Sequence, residues 1–265
     1  MEYAAAAARF GNKILGLIAG FFILLMLAYG GYSLWDTFRV FNGAFLDSEI
    51  REYKPDVGAD NRETLEELMK INPDVIGWIT VDDTHIDYPL LQGEDDIEYV
   101  NKDVYGDFSL SGAIFLSYVN KPDLTDHFNL IYGHHMDNGG MLGDVLSMID
   151  KDYFDSHEKG YIFLPDRTYE LTLFALLETD AYDSMIYIPT DQSDVRVQMV
   201  LDYVRQNATN YRDIGITKDD CFVALSTCKD ATTNGRGVAF AKLTEVKKKD
   251  SNAQKKEYQE AEDAD

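Results

Sequence analysis

Cys221-Phe222-Val223-Ala224-Leu225-Ser226-Thr227-Cys228 is an apolar run that ends on a thiol, and eight residues further on Arg236 opens a second run, Gly237-Val238-Ala239-Phe240-Ala241-Lys242-Leu243. Both runs carry the β-branched, aromatic and small apolar residues of buried strands. The first strand delivers a cysteine to its tip and the second begins on a permanently charged guanidinium. Whether this pair is chemical or incidental depends on what the rest of the chain adds.

The chain has 265 residues, 45% of them hydrophobic, enough for one domain with a sizeable core plus attachments. Charge is one-sided, with 24 Lys and Arg against 47 Asp and Glu, a net −23. Such a surface repels phosphate backbones and excludes nucleic acid as a natural partner. Cys221 and Cys228 are the two cysteines. On one continuous strand they lie roughly 23 Å apart, at about 3.3 Å per residue. Their odd offset also puts them on opposite faces, so a disulfide needs a sharp bend and Cys228 is expected as a free thiol.

Residues 14–35, Ile14 to Trp35, form an uncharged and mostly apolar run long enough to cross a bilayer as a helix. Arg9 and Lys13 precede it, while Asp36 and Arg39 follow. This favours a cytoplasmic N-terminus at 1–13 and an exported remainder. A cleaved signal peptide is the alternative, but the run exceeds a usual signal core and no Ala-x-Ala site ends it. Residues 36–60 read as a linker or a loosely packed N-terminal helix. Asp60 and Glu63 resemble a capping box for a helix that sets Leu65, Leu68 and Met69 on one face, and Asn72-Pro73-Asp74 stops it.

From Val75 the pattern changes to short strands divided by turns: 75–81, 85–91, 112–116, 128–132, 169–173, 221–228 and 237–246. The spacing predicts a mainly β protein with a closed or nearly closed barrel. A brief helix is expected at 144–150. A longer one at 191–210 has Val197, Val200, Leu201 and Val204 on one stripe, with Asp191 or Ser193 as its cap. The predicted main domain spans 61–247. The charged tail 248–265 has almost nothing to bury and is expected to be disordered.

Five histidines offer a base: His85, His127, His134, His135 and His157. A lone histidine is most often a solvent-facing or satisfied structural residue, which is the reading for His85, His127 and His157. His134-His135 ends the apolar run Leu130-Ile131-Tyr132-Gly133, where adjacent side chains point opposite ways and one of the two can face a site. No Cys-x-x-Cys or His-Glu-x-x-His supports zinc, and no Gly-rich loop followed by Lys-Ser/Thr supports a nucleotide. No metal or cofactor is therefore expected. Cys228 could be a small core residue, but Lys229-Asp230 beyond it argue that it emerges into solvent. Arg236 alone reads equally well as one arm of a surface salt bridge.

Taken together, Leu225-Ser226-Thr227-Cys228, Arg236 and Gly133-His134 resemble the signature of the sortases, membrane-anchored cysteine transpeptidases of Gram-positive surfaces. The resemblance runs from about Asn72 to Val246 and includes Asn72-Pro73-Asp74-Val75-Ile76-Gly77-Trp78-Ile79, Ile86-Asp87-Tyr88-Pro89, Gly112-Ala113-Ile114-Phe115-Leu116 and Ile131-Tyr132-Gly133-His134-His135-Met136. The chain is most similar to class B, which adds N-terminal helical structure and a long helix between strands 6 and 7. The Asp-Pro-aromatic lid of many class C enzymes is not evident upstream, nor is a second C-terminal transmembrane run. Lys229 departs from the acidic residue that some class B members carry after the cysteine.

The resemblance implies an eight-stranded β-barrel with Cys228 as nucleophile, His134 as acid and base, and Arg236 as anion holder, in one groove. A thiolate attacks an amide carbonyl and leaves a thioester open to an amine. A positioned imidazole serves both proton transfers. It further implies a sorting-signal peptide of the Asn-Pro-x-Thr type as donor, with a cell-wall precursor amine or a pilin lysine as acceptor. Tyr182, Ile186, Tyr187 and Ile188 would form the wall that grips the peptide, and Ser226 and Thr227 would touch it beside the thiol. For these six, strand and helix packing is an equal reading. Two further possibilities stay open: a pilin-polymerising class B enzyme, and an anchored binding protein whose sortase-like barrel holds an inert thiol.

Overall fold

The computed structural model describes residues 2–43, 46–230 and 233–246. Two compact units divide near Asn42, and each is described by itself. The first is α1, Glu2–Gly43, which includes the apolar stretch Arg9–Phe38, long enough to cross a membrane. The charged tail expected at 248–265 lies outside the described residues.

The second unit is built on a barrel. Its elements in order are α2 (Ser48–Arg51), α3 (Arg62–Ile71), β1 (Val75–Val81), β2 (Asp87–Leu91), β3 (Ile114–Leu116), β4 (Phe128–Tyr132), α4 (Lys151–Ser156), β5 (Lys159–Phe163), β6 (Thr168–Asp180), α5 (Asp194–Asn207), β7 (Asn210–Tyr211), β8 (Phe222–Cys228) and β9 (Gly235–Glu245). The strand order is β5-β1-β2-β3-β4-β8-β9-β6, and β5 pairs back onto β6. Eight strands therefore close on themselves, leaving no open edge for stray pairing. The two-residue β7 is an appendage on β6. Two pairs, β2–β3 and β4–β8, are parallel and the others antiparallel.

Alternation along the strands sorts side chains into three clusters. Val223, Leu225, Ala239, Ala241, Ile131 and Leu171 fill the barrel interior. Outside it, Phe128, Leu130, Phe174, Phe222, Ala224, Val238 and Phe240 pack under α5. That helix contributes Val197, Val200, Leu201 and Val204, all buried, and Ser193 caps it by accepting from the Arg196 N–H. Each of those side chains is worth roughly 1.5–3 kcal/mol when fully buried. On another outer face, α2 and α3 lay Ile50, Leu65 and Leu68 over Val75, Trp78 and Phe163.

Several expectations change in detail. The stretch after Gly43 is not a loose linker throughout, because Ile50 is fully buried and Lys54 pairs with Asp87 at 2.6 Å. No capping box forms at α3: Asn61 is the N-cap residue, and its side chain instead closes on the Asp56 backbone. The brief helix expected at 144–150 is a 3-10 segment, Gly143–Ile149, followed by α4. β5 was not expected from the sequence, and β6 runs well past Leu173.

Candidate active site

β8 and β9 are antiparallel, with Cys228 directly opposite Arg236. The Lys229 N–H donates to the Gly235 carbonyl at 2.9 Å, and the Leu243 N–H to the Cys221 carbonyl at 2.8 Å. Counting back from either bond makes Cys228–Arg236 a non-hydrogen-bonded pair, the closer kind, with Cα atoms about 4.5 Å apart. Strand parity then aims both side chains outward, on the face that carries Ser226 and Val238. Among the described residues Arg236 makes no ion pair, and its guanidinium donates to the neighbouring Gly235 carbonyl at 3.1 Å.

On the other side of β8 lies β4, with Tyr132 level with Ser226. The Gly133 N–H donates to the Ser226 carbonyl at 3.2 Å, carrying the chain one step beyond the strand and bringing His134 level with Cys228. A Cβ on Gly133 would stand 2.7 Å from the Leu142 side chain, so glycine allows this close passage. His134 is fixed at two points. Its carbonyl accepts from the Leu142 N–H at 3.0 Å, and its Nε2 lies 2.8 Å from the Val100 carbonyl. A carbonyl can only accept, so Nε2 carries a proton, and Nδ1 is the lone-pair nitrogen of the neutral ring.

Cys228, His134 and Arg236 line one cavity of about 370 Å³, with Ser226, Thr227, Tyr132, Tyr187, Phe115, Val100 and Asp96 around them. Its floor is aromatic: Phe115 and Tyr132 have ring centroids 5.4 Å apart, and Tyr132 and Tyr187 stack at 6.4 Å. The Tyr187 and Ser226 hydroxyls are hydrogen-bonded at 2.8 Å. Burial pushes the Tyr187 phenol up to about 12. Burial and then the Asp96 carboxylate hold Tyr132 well above its usual range. Both rings therefore stay neutral phenols at physiological pH.

The remaining sequence candidates separate here. Of the wall residues, Tyr187 lines the cavity, whereas Tyr182 and Ile188 are exposed and do not. Ile186 is fully buried beneath α5, a packing residue rather than a peptide contact. The cause is local: the Asp183 carbonyl accepts from both Ile186 and Tyr187 N–H groups, so the segment is a turn whose side chains fan out. Asp183 also bonds Thr179 on β6 and Tyr203 on α5, which ties this turn down at both ends. Thr227 borders the cavity but has the opposite parity to Ser226. It is 2% exposed, and its Oγ1 has no hydrogen-bond partner among the described residues.

The other histidines sit elsewhere. His135 Nε2 is 3.4 Å from Asp137, His85 pairs with Asp144 at 2.9 Å, and His157 stacks on Tyr153. Both cysteines are free. Sequence reasoning missed Asp96 and Val100, because each reaches the cavity from the loop after β2 and neither belongs to a motif.

A closed eight-stranded barrel with a cysteine, a histidine and an arginine in one external groove defines a class of cysteine acyl-transfer enzyme. Two curated relatives make the class specific. Sortase B of Listeria monocytogenes is 31% identical over 193 residues, 71% of this chain and 78% of that protein. Sortase B of Staphylococcus aureus is 31% identical over 188 residues, 70% of this chain and 76% of that protein. No protein-family model matches the chain. Solved structures agree. The S. aureus sortase B–substrate complex superposes with a TM-score of 0.66 at 29% identity, covering 70% of this chain and 87% of that one. A Streptococcus pyogenes class B sortase involved in pilus biogenesis gives 0.62 at 40% identity, with 68% and 97% covered. Sortase B from the type II pilus of Streptococcus pneumoniae gives 0.59 at 42% identity, with 67% and 97% covered. The chain belongs to the sortase family, class B, and is a cysteine transpeptidase.

Proposed function

We propose that this chain is a membrane-anchored enzyme of a Gram-positive surface, held by 14–35 with residues 1–13 in the cytoplasm. It cleaves an Asn-Pro-x-Thr sorting signal and joins the new C-terminus to an amine. Cys228 Sγ attacks the threonine carbonyl, the C–N bond breaks, and the peptide is held as a thioester. His134 Nδ1 takes the proton of the Cys228 thiol, gives it to the leaving amine, and later takes one from the incoming amine. Arg236 donates hydrogen bonds to the oxygen that becomes negative in each tetrahedral intermediate. Ser226 and Tyr187 contact the bound peptide. The observation that carries this reading is the narrow Cys228–Arg236 pair in one groove with a His134 ring held by the Val100 carbonyl.

The acceptor has two candidates. A cell-wall precursor amine fits the wall-anchoring role, while a pilin lysine fits the 40% and 42% identity to pilus-associated class B enzymes, higher than that to the curated relatives. The full chain in detergent, given an Asn-Pro-x-Thr-Gly peptide with and without each amine, tests both by mass spectrometry. The expected result is an amide product with one amine and a thioester adduct on Cys228 that Cys228→Ala lacks. Equal turnover by Cys228→Ala would end the proposal.

A further inference from the structure

His134 opens a tight loop, residues 134–142, that turns back on itself. His135 and Met141 pair across it as an antiparallel bridge, and the Leu142 N–H donates to the His134 carbonyl at 3.0 Å. Within this loop Met141 has φ +58, the left-handed region that residues with a Cβ rarely adopt. Met141 is also 3% exposed, so its N–H needs a partner from the protein. The Tyr88 hydroxyl meets it, accepting from that N–H at 3.0 Å.

Tyr88 reaches the loop from inside the barrel. It lies on β2, is buried, and packs with Met141 and Leu142 in the interior cluster. Burial pushes its phenol up to about 12, so it stays a neutral hydroxyl with a lone pair to offer. The far turn of the loop is pinned from the residues just before β2. Gly139 has φ +83, and a Cβ there would stand 2.6 Å from His85 Nδ1. His85 in turn is held by the buried Asp144 carboxylate, which accepts from its backbone N–H at 2.6 Å and lies 2.9 Å from Nδ1. With that turn fixed, the conformation of Met141 sets whether the Leu142 N–H points at His134.

We infer that Tyr88 is a positioning residue for His134, its hydroxyl holding the strained Met141 backbone in the arrangement that lets the Leu142 N–H bond the His134 carbonyl. The inference rests on the reading of His134 as acid and base. Without the hydroxyl a buried N–H loses its partner, which favours any conformation that gives it another. Relief is nearest at Met141 itself, because leaving the left-handed region removes strain at the same time. That rotation turns the Met141–Leu142 peptide group and withdraws the Leu142 N–H from His134. The histidine then keeps its ring contact with the Val100 carbonyl but loses the bond that fixes its backbone. Tyr88 does not line the cavity, so its effect falls on proton transfer and not on peptide binding.

The test is Tyr88→Phe in the full chain in detergent, which removes one oxygen and keeps the ring. With an Asn-Pro-x-Thr-Gly peptide, kcat is expected to fall roughly tenfold while KM stays within about twofold. The control is Tyr169→Phe, at the end of β6 away from Arg236, where a buried phenol lies 3.4 Å from the Asp123 carbonyl. It should lower the melting temperature by a similar amount and leave kcat within about twofold. Hydrogen exchange read by mass spectrometry follows the loop without any substrate. The segment 134–143 should exchange about tenfold faster in Tyr88→Phe and at the wild-type rate in Tyr169→Phe. Wild-type kcat in Tyr88→Phe, equal losses of kcat in the two variants, or unchanged exchange at 134–143 in Tyr88→Phe overturns the inference. His134→Ala separates it from the reading beneath. An inactive His134→Ala beside a fully active Tyr88→Phe sinks the inference alone, whereas a fully active His134→Ala sinks both.

Discussion

The two ends of β8 carry the same functional group in opposite surroundings. Cys228, at the C-terminal end, faces a groove and stands opposite Arg236. Cys221, just before the N-terminal end, is half-buried with its sulfur 3.8 Å from the Thr125 carbonyl. Its end of β9 also supplies a cation, Lys242, but that ammonium is engaged by Asp220 at 2.7 Å. Each end thus has one thiol and one cation on the next strand. The difference lies in whether the cation is committed to a carboxylate, and it is this that separates a site from a surface.

The sharpest way to break the comparison is to remove each cation. Arg236→Ala should lower kcat/KM for the Asn-Pro-x-Thr peptide by roughly 10²–10³, the usual cost of one oxyanion donor, about 2.7–4 kcal/mol. Lys242→Ala should leave it within about twofold, because it removes one partly exposed ion pair. Arg236→Lys should recover little, since an ammonium has neither the planar fork nor the reach of the guanidinium. Equal losses in Arg236→Ala and Lys242→Ala, measured in steady-state assays, would place both cations in a merely structural role.

A second test concerns glycine near each end. Gly112 has φ +59, and a Cβ there would stand 2.5 Å from the Val100 carbonyl oxygen. That oxygen is the one His134 Nε2 bonds. Gly112→Ala is expected to cost about 1–3 kcal/mol of stability, and to lower kcat roughly tenfold or more by shifting the histidine's anchor. The pH profile of kcat/KM should move as well, which lost stability alone would not cause. Gly215, in the loop leading to β8, has φ +68 but open space around its Cβ position. Gly215→Ala should therefore show the backbone strain in thermal melting and leave the pH profile unchanged.

The same contrast explains what could be read from the chain. Val75–Val81 and Phe128–Tyr132 were legible to the residue because turn residues bound each run. β6 was legible only to Leu173, where its polar–apolar alternation stops. Beyond that point Phe174 and Leu177 face α5 while Leu176 faces the barrel interior, so burial on both sides erases the pattern. β5 gave no signal of its own. It is short, begins at Lys159, and has Gly160 where a Cβ would stand 2.3 Å from the Thr80 carbonyl, a demand set by the neighbouring strand β1.

At the site, Cys228, His134 and Arg236 were singled out only together, by the likeness of Leu225-Ser226-Thr227-Cys228, Gly133-His134 and Arg236 to the sortase signature, and the fold sets all three on one cavity. Of Tyr182, Ile186, Tyr187 and Ile188, only Tyr187 lines the cavity, because a turn held by Asp183 sends it inward and buries Ile186 elsewhere, and no sequence pattern marks that turn. Asp96 needed the fold itself, since only barrel closure brings the loop after β2 to the groove.

The smallest effect, and the most direct on the two thiols, is their alkylation. Burial is the main cause that raises the Cys221 thiol above its ordinary value, and the carboxylates of Asp220 and Asp126 raise it further. At pH 7.5 it is overwhelmingly the protonated thiol, which is not the nucleophile. Cys228 instead opens on a groove, with the Arg236 guanidinium on the facing strand. Iodoacetamide at pH 7.5 should therefore modify Cys228 about tenfold faster than Cys221, read by peptide mass mapping over time. Arg236→Ala should narrow the ratio from the Cys228 side, and raising the pH should narrow it from the Cys221 side as that thiol begins to ionise. A ratio near one in the wild-type chain would mean that the arginine does not act on the sulfur, leaving Cys228 as inert as its partner at the far end of the strand.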